Sequence, residues 1–337
     1  MTQTILITGG AGFIGSCFAR QAVARKQKVV VLDALTYAGH RENLEGVDVE
    51  LVVGDIRDRA LVDGLLAKHK PQALLHFAAE SHVDNSIASP GEFMDTNIQG
   101  TYVLLEAARA FMPQAPEGFR YLQVSTDEVF GALPETGFFS EASPYAPNSP
   151  YSASKAAADH LVRAWYHTYG LPTIITHCSN NYGPRQLPEK LIPVIITKAL
   201  AGKPLPVYGD GLHVRDWIHV EDHSTGIWLA ASKGRVGEHY CFGGRAEMKN
   251  LDLVRLMCAY LDQIRPRNDK RFYAEQITFV PDRLGHDRRY AIDDSRAEKE
   301  LGFSRAWTFE KGIRATVDWY LANEAWSKTV ITKKKAA

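Results

Sequence analysis

Tyr151 and Lys155 are one helical turn apart in the run Tyr151-Ser152-Ala153-Ser154-Lys155. On a helix, residues i and i+4 share a face, so the ammonium can lie beside the phenol and favour its ionised form. An unperturbed tyrosine titrates near ~10, and a general base working at neutral pH needs that help. Upstream, Ser125 and Thr126 close an apolar run, and Asp127 and Glu128 follow directly. The Thr126 hydroxyl can bond a reacting oxygen. Adjacent carboxylates beside a redox centre are costly unless one is protonated or both are used. Simple oxidation or epimerisation needs only the tyrosine, the lysine and a hydroxyl. Elimination of water also needs a base for the proton next to a ketone and an acid for the departing hydroxyl. Two carboxylates with separated pKa values meet that need.

A second chemical feature lies near the N-terminus, where Gly9-Gly10-Ala11-Gly12-Phe13-Ile14-Gly15 sits between a predicted strand and a predicted helix. Glycines there permit a tight turn and close backbone approach to a pyrophosphate, and the helix start supplies unpaired N–H groups. Asp33 ends the next strand. A carboxylate at that place bonds both ribose hydroxyls and repels a 2′-phosphate, which favours NAD over NADP.

These groups must be held by strands and helices in alternation. Thr4–Thr8, Lys28–Asp33, Glu50–Val53, Ala73–His76, Arg120–Ser125 and Thr173–His177 are short, nearly continuous apolar runs, the pattern of strands buried on both faces. Helical spacing covers Phe13–Ala24, a segment capped by Asp58 and running to His69, Gly91–Ala110 and Tyr151–Tyr169. The alternation predicts an α/β fold, a Rossmann-type doubly wound parallel sheet. After Asn181 the pattern changes. Pro184, Pro188, Pro193, Pro204 and Pro206 punctuate it, and charged loops such as Pro281–Arg289 follow. A smaller α+β substrate-binding lobe is expected over 182–330, with segments near 210–245 free to return to the first lobe (1–181) and a basic tail over 331–337.

The chain has 337 residues, with 39 basic and 39 acidic side chains and no formal net charge. That size allows two domains, and the balance removes the electrostatic footprint of a dedicated nucleic-acid binder. An anionic ligand would need locally placed Arg and Lys. Apolar residues at 45% and charged residues at 23% are ordinary for a globular protein. No apolar run reaches the ~18 residues of a membrane span. Met1 to Gly10 lacks the basic start of a secretory signal. Cys17, Cys178, Cys241 and Cys258 have no metal spacing, nor do His219 and His223. Reduced thiols, a cytoplasmic location and no metal are the expectation.

Ser125-Thr126-Asp127-Glu128-Val129-Phe130-Gly131 resembles the signature of the nucleotide-sugar 4,6-dehydratases, and the likeness extends along nearly the whole chain. Leu35 to Gly39, Ala78 to Asp84, Ser179 to Pro184, Pro188 to Pro193, Arg215-Asp216-Trp217, Asn250 and Gly285 to Tyr290 look like motifs of that family. The Gly9/Gly12/Gly15 spacing is similar to that of the short-chain dehydrogenases/reductases, and the resemblance implies their extended form. It places Gly9, Gly12, Phe13, Ile14, Gly15, Asp33, Ala34, Leu35, Thr36, Asp55, Ile56, Phe77, Ala78, Ala79, Thr96, Tyr151, Lys155 and Asn181 against NAD. Sugar contacts fall on Ser81, Thr126, Asp127, Glu128, Tyr151 and Asn180. The nucleotide would lie against Lys190, Leu191, Pro206, Tyr208, Arg215, Asn250, Arg283 and His286, with Tyr320 contributing from near the C-terminus.

The implied reaction is dehydration of dTDP-glucose to its 4-keto-6-deoxy form, with Tyr151 as base at C4, Glu128 as base at C5 and Asp127 as acid at the C6 hydroxyl. The implied assembly is a homodimer through the Gly91–Ala110 and Tyr151–Tyr169 helices. Three other readings stay open on the residues: dehydration of UDP-glucose or UDP-N-acetylglucosamine, 4-epimerisation, and NAD sensing without catalysis. Three places depart from the family pattern. His177 stands where Asn is common, Arg185-Gln186-Leu187 replaces an aromatic-rich run, and Phe130 replaces Tyr. The first bears on the nicotinamide side, the second on base and sugar preference.

Overall fold

The computed structural model describes residues 3–336, with side chains to Thr332. Along the first half run β1 (Thr4–Thr8), α1 (Phe13–Ala24), β2 (Lys28–Asp33), β3 (Val49–Val53), α2 (Arg59–His69), β4 (Ala73–His76), α3 (Val83–Ala88), α4 (Pro90–Phe93), α5 (Thr101–Phe111), β5 (Arg120–Val124), α6 (Pro150–Tyr169), β6 (Thr173–Cys178) and β7 (Asn180–Tyr182). Then come α7 (Leu191–Leu200), β8 (Leu205–Tyr208), β9 (Val214–His219), α8 (Val220–Lys233), β10 (His239–Phe242), β11 (Glu247–Lys249), α9 (Asn250–Ile264), β12 (Ile277–Val280), α10 (Ser295–Leu301), α11 (Phe309–Ala322) and α12 (Glu324–Ala336).

Seven strands form one parallel sheet in the order β10-β6-β5-β4-β1-β2-β3. Both faces are buried because alternate residues of each strand point to opposite sides. Ile5, Ile7, Val29, Val31 and Ile174 pack with Phe18 of α1 and Ile227 of α8. Leu6, Val30, Leu32, Leu74 and Tyr121 pack with Leu66 of α2 and Leu104 of α5. This is the doubly wound arrangement that the run pattern predicts.

The second lobe has its own core, with Ile192, Ile195 and Ile196 of α7 against Leu253 and Val254 of α9 and Val317 of α11. Small sheets of β11-β9-β7 and β12-β8 border it. The chain crosses back at α8 and β10, and β10 pairs with β6. β9 stays with β7 and β11 instead. Ala297, Leu301 and Phe303 also join the first core, although they lie within the span expected for the second lobe. The Lys333–Lys335 side chains of the basic tail lie outside the described residues.

One predicted helix is interrupted. Gly91–Ala110 is a short α turn, then a π segment over Met94–Gly100, then α5. The wider winding carries Asn97 to the Glu80 peptide. Its side chain accepts from Glu80 N at 2.9 Å and donates to Glu80 O at 3.0 Å and to Ser154 Oγ at 2.9 Å. Side-chain periodicity cannot report a bond of this kind, because it records which face is apolar and not the pitch.

Candidate functional site

A cavity of 710 Å³ opens at the C-terminal ends of β1, β4, β5 and β6 and extends under the second lobe. Open parallel sheets bind ligands at this edge, where the strand order reverses. The loop after β1 forms one wall. Gly9 has φ +71°, and a Cβ there would come within 2.5 Å of Ala78 N. A Cβ on Gly15 would come within 2.2 Å of the Gly9 carbonyl oxygen, so the first turn of α1 and the loop pass too closely for any side chain. No acidic residue occupies that first turn, which leaves its N–H groups free for an anion. Gly15→Ala is expected to abolish cofactor retention and lower stability by about 1–3 kcal/mol, the usual cost of overpacking. Thermal melting and the ultraviolet spectrum of the purified variant check it.

Asp33 accepts from Ala11 N at 2.9 Å on one oxygen and from Leu35 N at 2.8 Å on the other. Burial pushes its pKa up, and these two bonds work against that. The carboxylate is thereby oriented, and each oxygen keeps a lone pair for a hydroxyl. Asp55 is held below the usual carboxylate range by the Arg57 guanidinium at 2.6 Å.

Every expected cofactor position except Leu35 borders this cavity. Leu35 takes φ +52°, gives its N–H to Asp33, and packs its side chain on the α1 side of the sheet. Of the expected substrate positions, Tyr320 alone is elsewhere. It is buried among α7, α9 and α11, and its hydroxyl donates to the Gln186 carbonyl. Apolar burial wins over exposure to the cavity, and Tyr320 acts as a prop for Gln186, which does border it.

The floor is built by β5 and α6. Ser149 and Ser152 form a capping box, Pro150 takes the first turn, and Gly170 closes the helix in the left-handed region. This start places Tyr151 and Lys155 on the cavity side. Lys155 donates to the Val124 carbonyl at 2.8 Å. A short 3₁₀ turn, Asp127–Phe130, follows β5, with the Thr126 hydroxyl accepting from Glu128 N and donating to Asp127 Oδ1, both at 3.3 Å.

The two carboxylates experience different surroundings. Burial, reinforced by the Glu128 and Asp216 charges, pushes Asp127 well above the carboxylate range. Burial also raises Glu128, but Arg283, Lys190 and Arg215 pull it back. Both carboxylates are therefore raised, Asp127 further than Glu128, which is the direction of separation that an acid and a base require. The Tyr151 phenol is pushed well above its ordinary value by burial and by Glu128, Cys178 and Asp127 in turn, while a hydrogen bond with Thr126 favours ionisation. Lys155 alone does not offset this, contrary to the expectation from spacing.

The far end of the cavity carries cations. Arg215 lies 4.2 Å from the Tyr290 ring centroid and donates to the Asp287 and Val214 carbonyls. Lys190 donates to the Ser81 carbonyl at 2.6 Å. Buried polar atoms around the same space have no protein partner: Asp127 Oδ2, Asn180 Oδ1, Asn250 Oδ1 and Arg283 Nε. Unpaired buried groups of both kinds fit a polar, anionic ligand. His213, Asp282 and His286 bring ligand atoms within 4.8 Å of one another. The two rings, however, stack at 3.7 Å and 14°, so their nitrogen lone pairs run parallel and do not converge on an ion.

Sequence reasoning missed Glu80, Cys178, Gln186 and Tyr290 on the cavity wall. Burial and the Glu92 and Glu189 charges raise Glu80 to about 7. Each missed residue lies inside or beside a motif already quoted, and that adjacency was the available signal. The departing run is tied down on both sides. Arg185 lies over the Trp319 ring at 5.3 Å, and Gln186 Nε2 donates to the Asn181 carbonyl. His177 does not border the cavity. It packs against Phe130 and His239 and bonds Tyr145 and Asp159, which removes it from the nicotinamide side.

The sequence pattern of the GDP-mannose 4,6 dehydratase family matches residues 6–316. The chain is 59% identical over 336 residues to a dTDP-glucose 4,6-dehydratase of Xanthomonas campestris, covering 97% of this chain and 96% of that one. The crystal structure of DesIV, a dTDP-glucose 4,6-dehydratase of Streptomyces venezuelae with NAD and TYD bound, matches at a TM-score of 0.90 and 45% identity, covering 97% of this chain and 99% of that one. A UDP-glucose 4-epimerase of Thermotoga maritima with UDP-glucose shares the fold at a TM-score of 0.85 but only 28% identity, covering 95% and 99%.

Proposed function

The chain belongs to the family of nucleotide-sugar 4,6-dehydratases, and from that premise we propose that it converts dTDP-glucose to dTDP-4-keto-6-deoxyglucose with NAD regenerated in each turnover. The observation that carries this is the divided carboxylate pair. Asp127 and Glu128 are neighbours in the chain and line one cavity with Tyr151; burial raises both, Asp127 the further, while Arg283, Lys190 and Arg215 pull Glu128 back. A 4-epimerase has no use for such a pair.

The glycine loop, Asp33, Asp55, Lys155 and Asn181 would hold the dinucleotide. NAD, when bound, supplies the oxidation at C4, the reduction at C6 and a positive charge that favours phenolate. Tyr151 takes the proton of the C4 hydroxyl, with Thr126 bonded to the same oxygen. The C4 ketone acidifies the C5 proton, which Glu128 removes. Asp127 gives its proton to the C6 hydroxyl, which leaves as water, and a proton returns to C5. Arg215, Arg283 and Lys190 hold the diphosphate, the arginines in fork geometry and the lysine as a point charge.

His223 supports this arrangement from below. Burial lowers its pKa to about 3, so it is neutral, and its Nδ1 lies 2.8 Å from Asn181 Oδ1. The first lobe, with α8, β10 and α10 returned to it, is the cofactor lobe. No helix among the described residues is long and apolar enough to cross a membrane, and a cytoplasmic homodimer belongs to the same proposal. Tyr102 of α5 and Tyr169 of α6 are exposed around Trp165, an aromatic patch on the two helices that would meet a second copy.

A panel of dTDP-, UDP- and GDP-sugars with product mass tests the reading. Loss of water from dTDP-glucose, with a keto sugar absorbing in alkali, is the expected result. Isomerisation without mass change would identify an epimerase, and dehydration of a UDP-sugar alone would move the base preference.

A further inference from the structure

Asp159 is a buried carboxylate that the proposed chemistry does not use. It is 1% exposed and does not border the cavity. Tyr151, Lys155 and Asp159 recur at i, i+4 and i+8 along α6, so they share one face. Asp159 Oδ2 meets side chains from three places: Ser125 Oγ at 2.6 Å, beyond the end of β5; Tyr145 OH at 3.3 Å, from the loop ahead of α6; and His177 Nε2 at 3.3 Å, in β6. Tyr145 OH and His177 Nε2 are 3.0 Å apart. A proton on His177 Nε2 is the tautomer that serves this ring of contacts.

Lys155 is tied to the Val124 carbonyl and Asp159 to the Ser125 hydroxyl. Successive residues of the strand end are thus clamped to successive turns of α6. Thr126, Asp127 and Glu128 follow immediately, so the clamp sets the register of the reacting groups.

The surroundings of Lys155 give the charge argument. The side chain is 4% exposed, and burial pulls its pKa down; Asp159 and Cys178 are the groups that oppose this. The Cys178 thiol is itself pushed far up by burial, so it stays neutral and contributes no charge. His76 is held well below its ordinary value, and Tyr151 and Tyr121 well above theirs, all by burial. His239, packed on His177, is lowered to about 4, mainly by burial. Of these groups Asp159, one turn further along the same face of α6, is the carboxylate that favours the charged ammonium, and a buried charge with no opposite charge nearby is costly.

We propose that Asp159 is a positioning residue that keeps Lys155 charged and, through Ser125, holds the Thr126–Glu128 turn in register with Tyr151. The inference rests on the proposed dehydration. It concerns the first step, which uses Tyr151 and Lys155 but neither carboxylate of the pair.

The test follows reduction of bound nicotinamide on mixing with dTDP-glucose, across pH, in a Glu128→Gln background where the reaction stops after that step. The step needs charged Lys155 as well as ionised Tyr151, so the lysine sets the alkaline limb, where the rate is lost as pH rises through the lysine pKa. Adding Asp159→Asn is expected to move that loss to lower pH by about 1–2 units, the scale of one nearby opposite charge. The affinity for substrate should stay unchanged, because Asp159 does not border the cavity. Asp159→Glu should restore the limb even where the rate stays low. Ser125→Ala, which keeps the charge, should slow the step without moving the limb. If Asp159→Asn does not fold, Asp159→Ser decides by the same measurement. An unmoved limb in the charge-removing variant overturns the proposal, as does an equal shift in Ser125→Ala. Failure of the wild type to dehydrate any sugar on the panel would instead remove the functional reading beneath it.

Discussion

Glu128→Gln is expected to lower kcat by about 10²–10⁴-fold, the range of a lost general base, while leaving oxidation at C4 intact. The amide keeps the shape and hydrogen-bonding reach of the carboxylate and cannot accept the C5 proton. Bound nicotinamide should therefore become reduced on mixing with substrate and stay reduced. With C5-deuterated substrate the label should be retained. The assignment depends on the Arg283, Lys190 and Arg215 charges, which pull Glu128 back towards ionisation against its burial. The sign of the pH dependence follows. The base must be ionised, so turnover is present above its raised pKa and is lost as pH falls through it. Persistence of both C5 exchange and turnover in the variant would sink the assignment.

Asp127→Asn is expected to lower kcat by a similar factor, about 10²–10⁴, with the opposite isotope signature. Exchange at C5 should continue, because Glu128 is untouched, while release of water stops. Asp127 must carry a proton to act. Its pKa is raised by burial and by Glu128, so wild-type turnover is present below that value and lost as pH rises through it. The elimination step of the variant should lack this alkaline limb. Stability gives an independent check. A carboxyl whose folded pKa is raised weakens the fold as pH climbs from the unfolded value towards the folded one. The neutral amide does not, so the melting temperature of Asp127→Asn should equal or exceed that of wild type at alkaline pH. Loss of C5 exchange together with water release would show that the two carboxylates act as a single unit.

Much of this site was legible because it depends on local periods. The four-residue spacing of Tyr151 and Lys155 puts them on one helix face whatever surrounds that helix. The short β-branched runs require strands buried on both faces, and the glycines between β1 and α1 permit the close approach that Gly9 and Gly15 make to neighbouring backbone. The helix over Gly91–Ala110 was only partly legible. Its π segment exists to satisfy the Glu80 peptide through Asn97, a contact between segments that no periodicity records.

Leu35 and Tyr320 illustrate the limit of carrying a residue over by position. Both fall within or beside elements of the site, and both send their side chains into apolar cores, where burial of apolar surface decides orientation. His177 behaves likewise. As a departure near the nicotinamide side it invited a role there, yet β6 turns it away from the cavity to meet Asp159, while Cys178 beside it faces inward.

The sequence by itself determined the chemistry on offer: a phosphate loop, a ribose acid, a tyrosine–lysine base and two adjacent carboxylates, held by alternating strands and helices. These are properties of residue type and short spacing. Tertiary structure alone decided which carboxylate is raised further. Asp127 and Glu128 are chemical near-equals and neighbours in the chain, and nothing local distinguishes them. Beyond burial, Asp127 feels the charges of Glu128 and Asp216 with Arg215 against them, whereas Glu128 has Arg283, Lys190 and Arg215 to draw it back. Those charges come from the second lobe and reach the pair only when the chain folds over the sheet. The same holds for Asp159, an ordinary helix residue in the sequence that meets Ser125, Tyr145 and His177 only once β5, β6 and the loop before α6 pack around it.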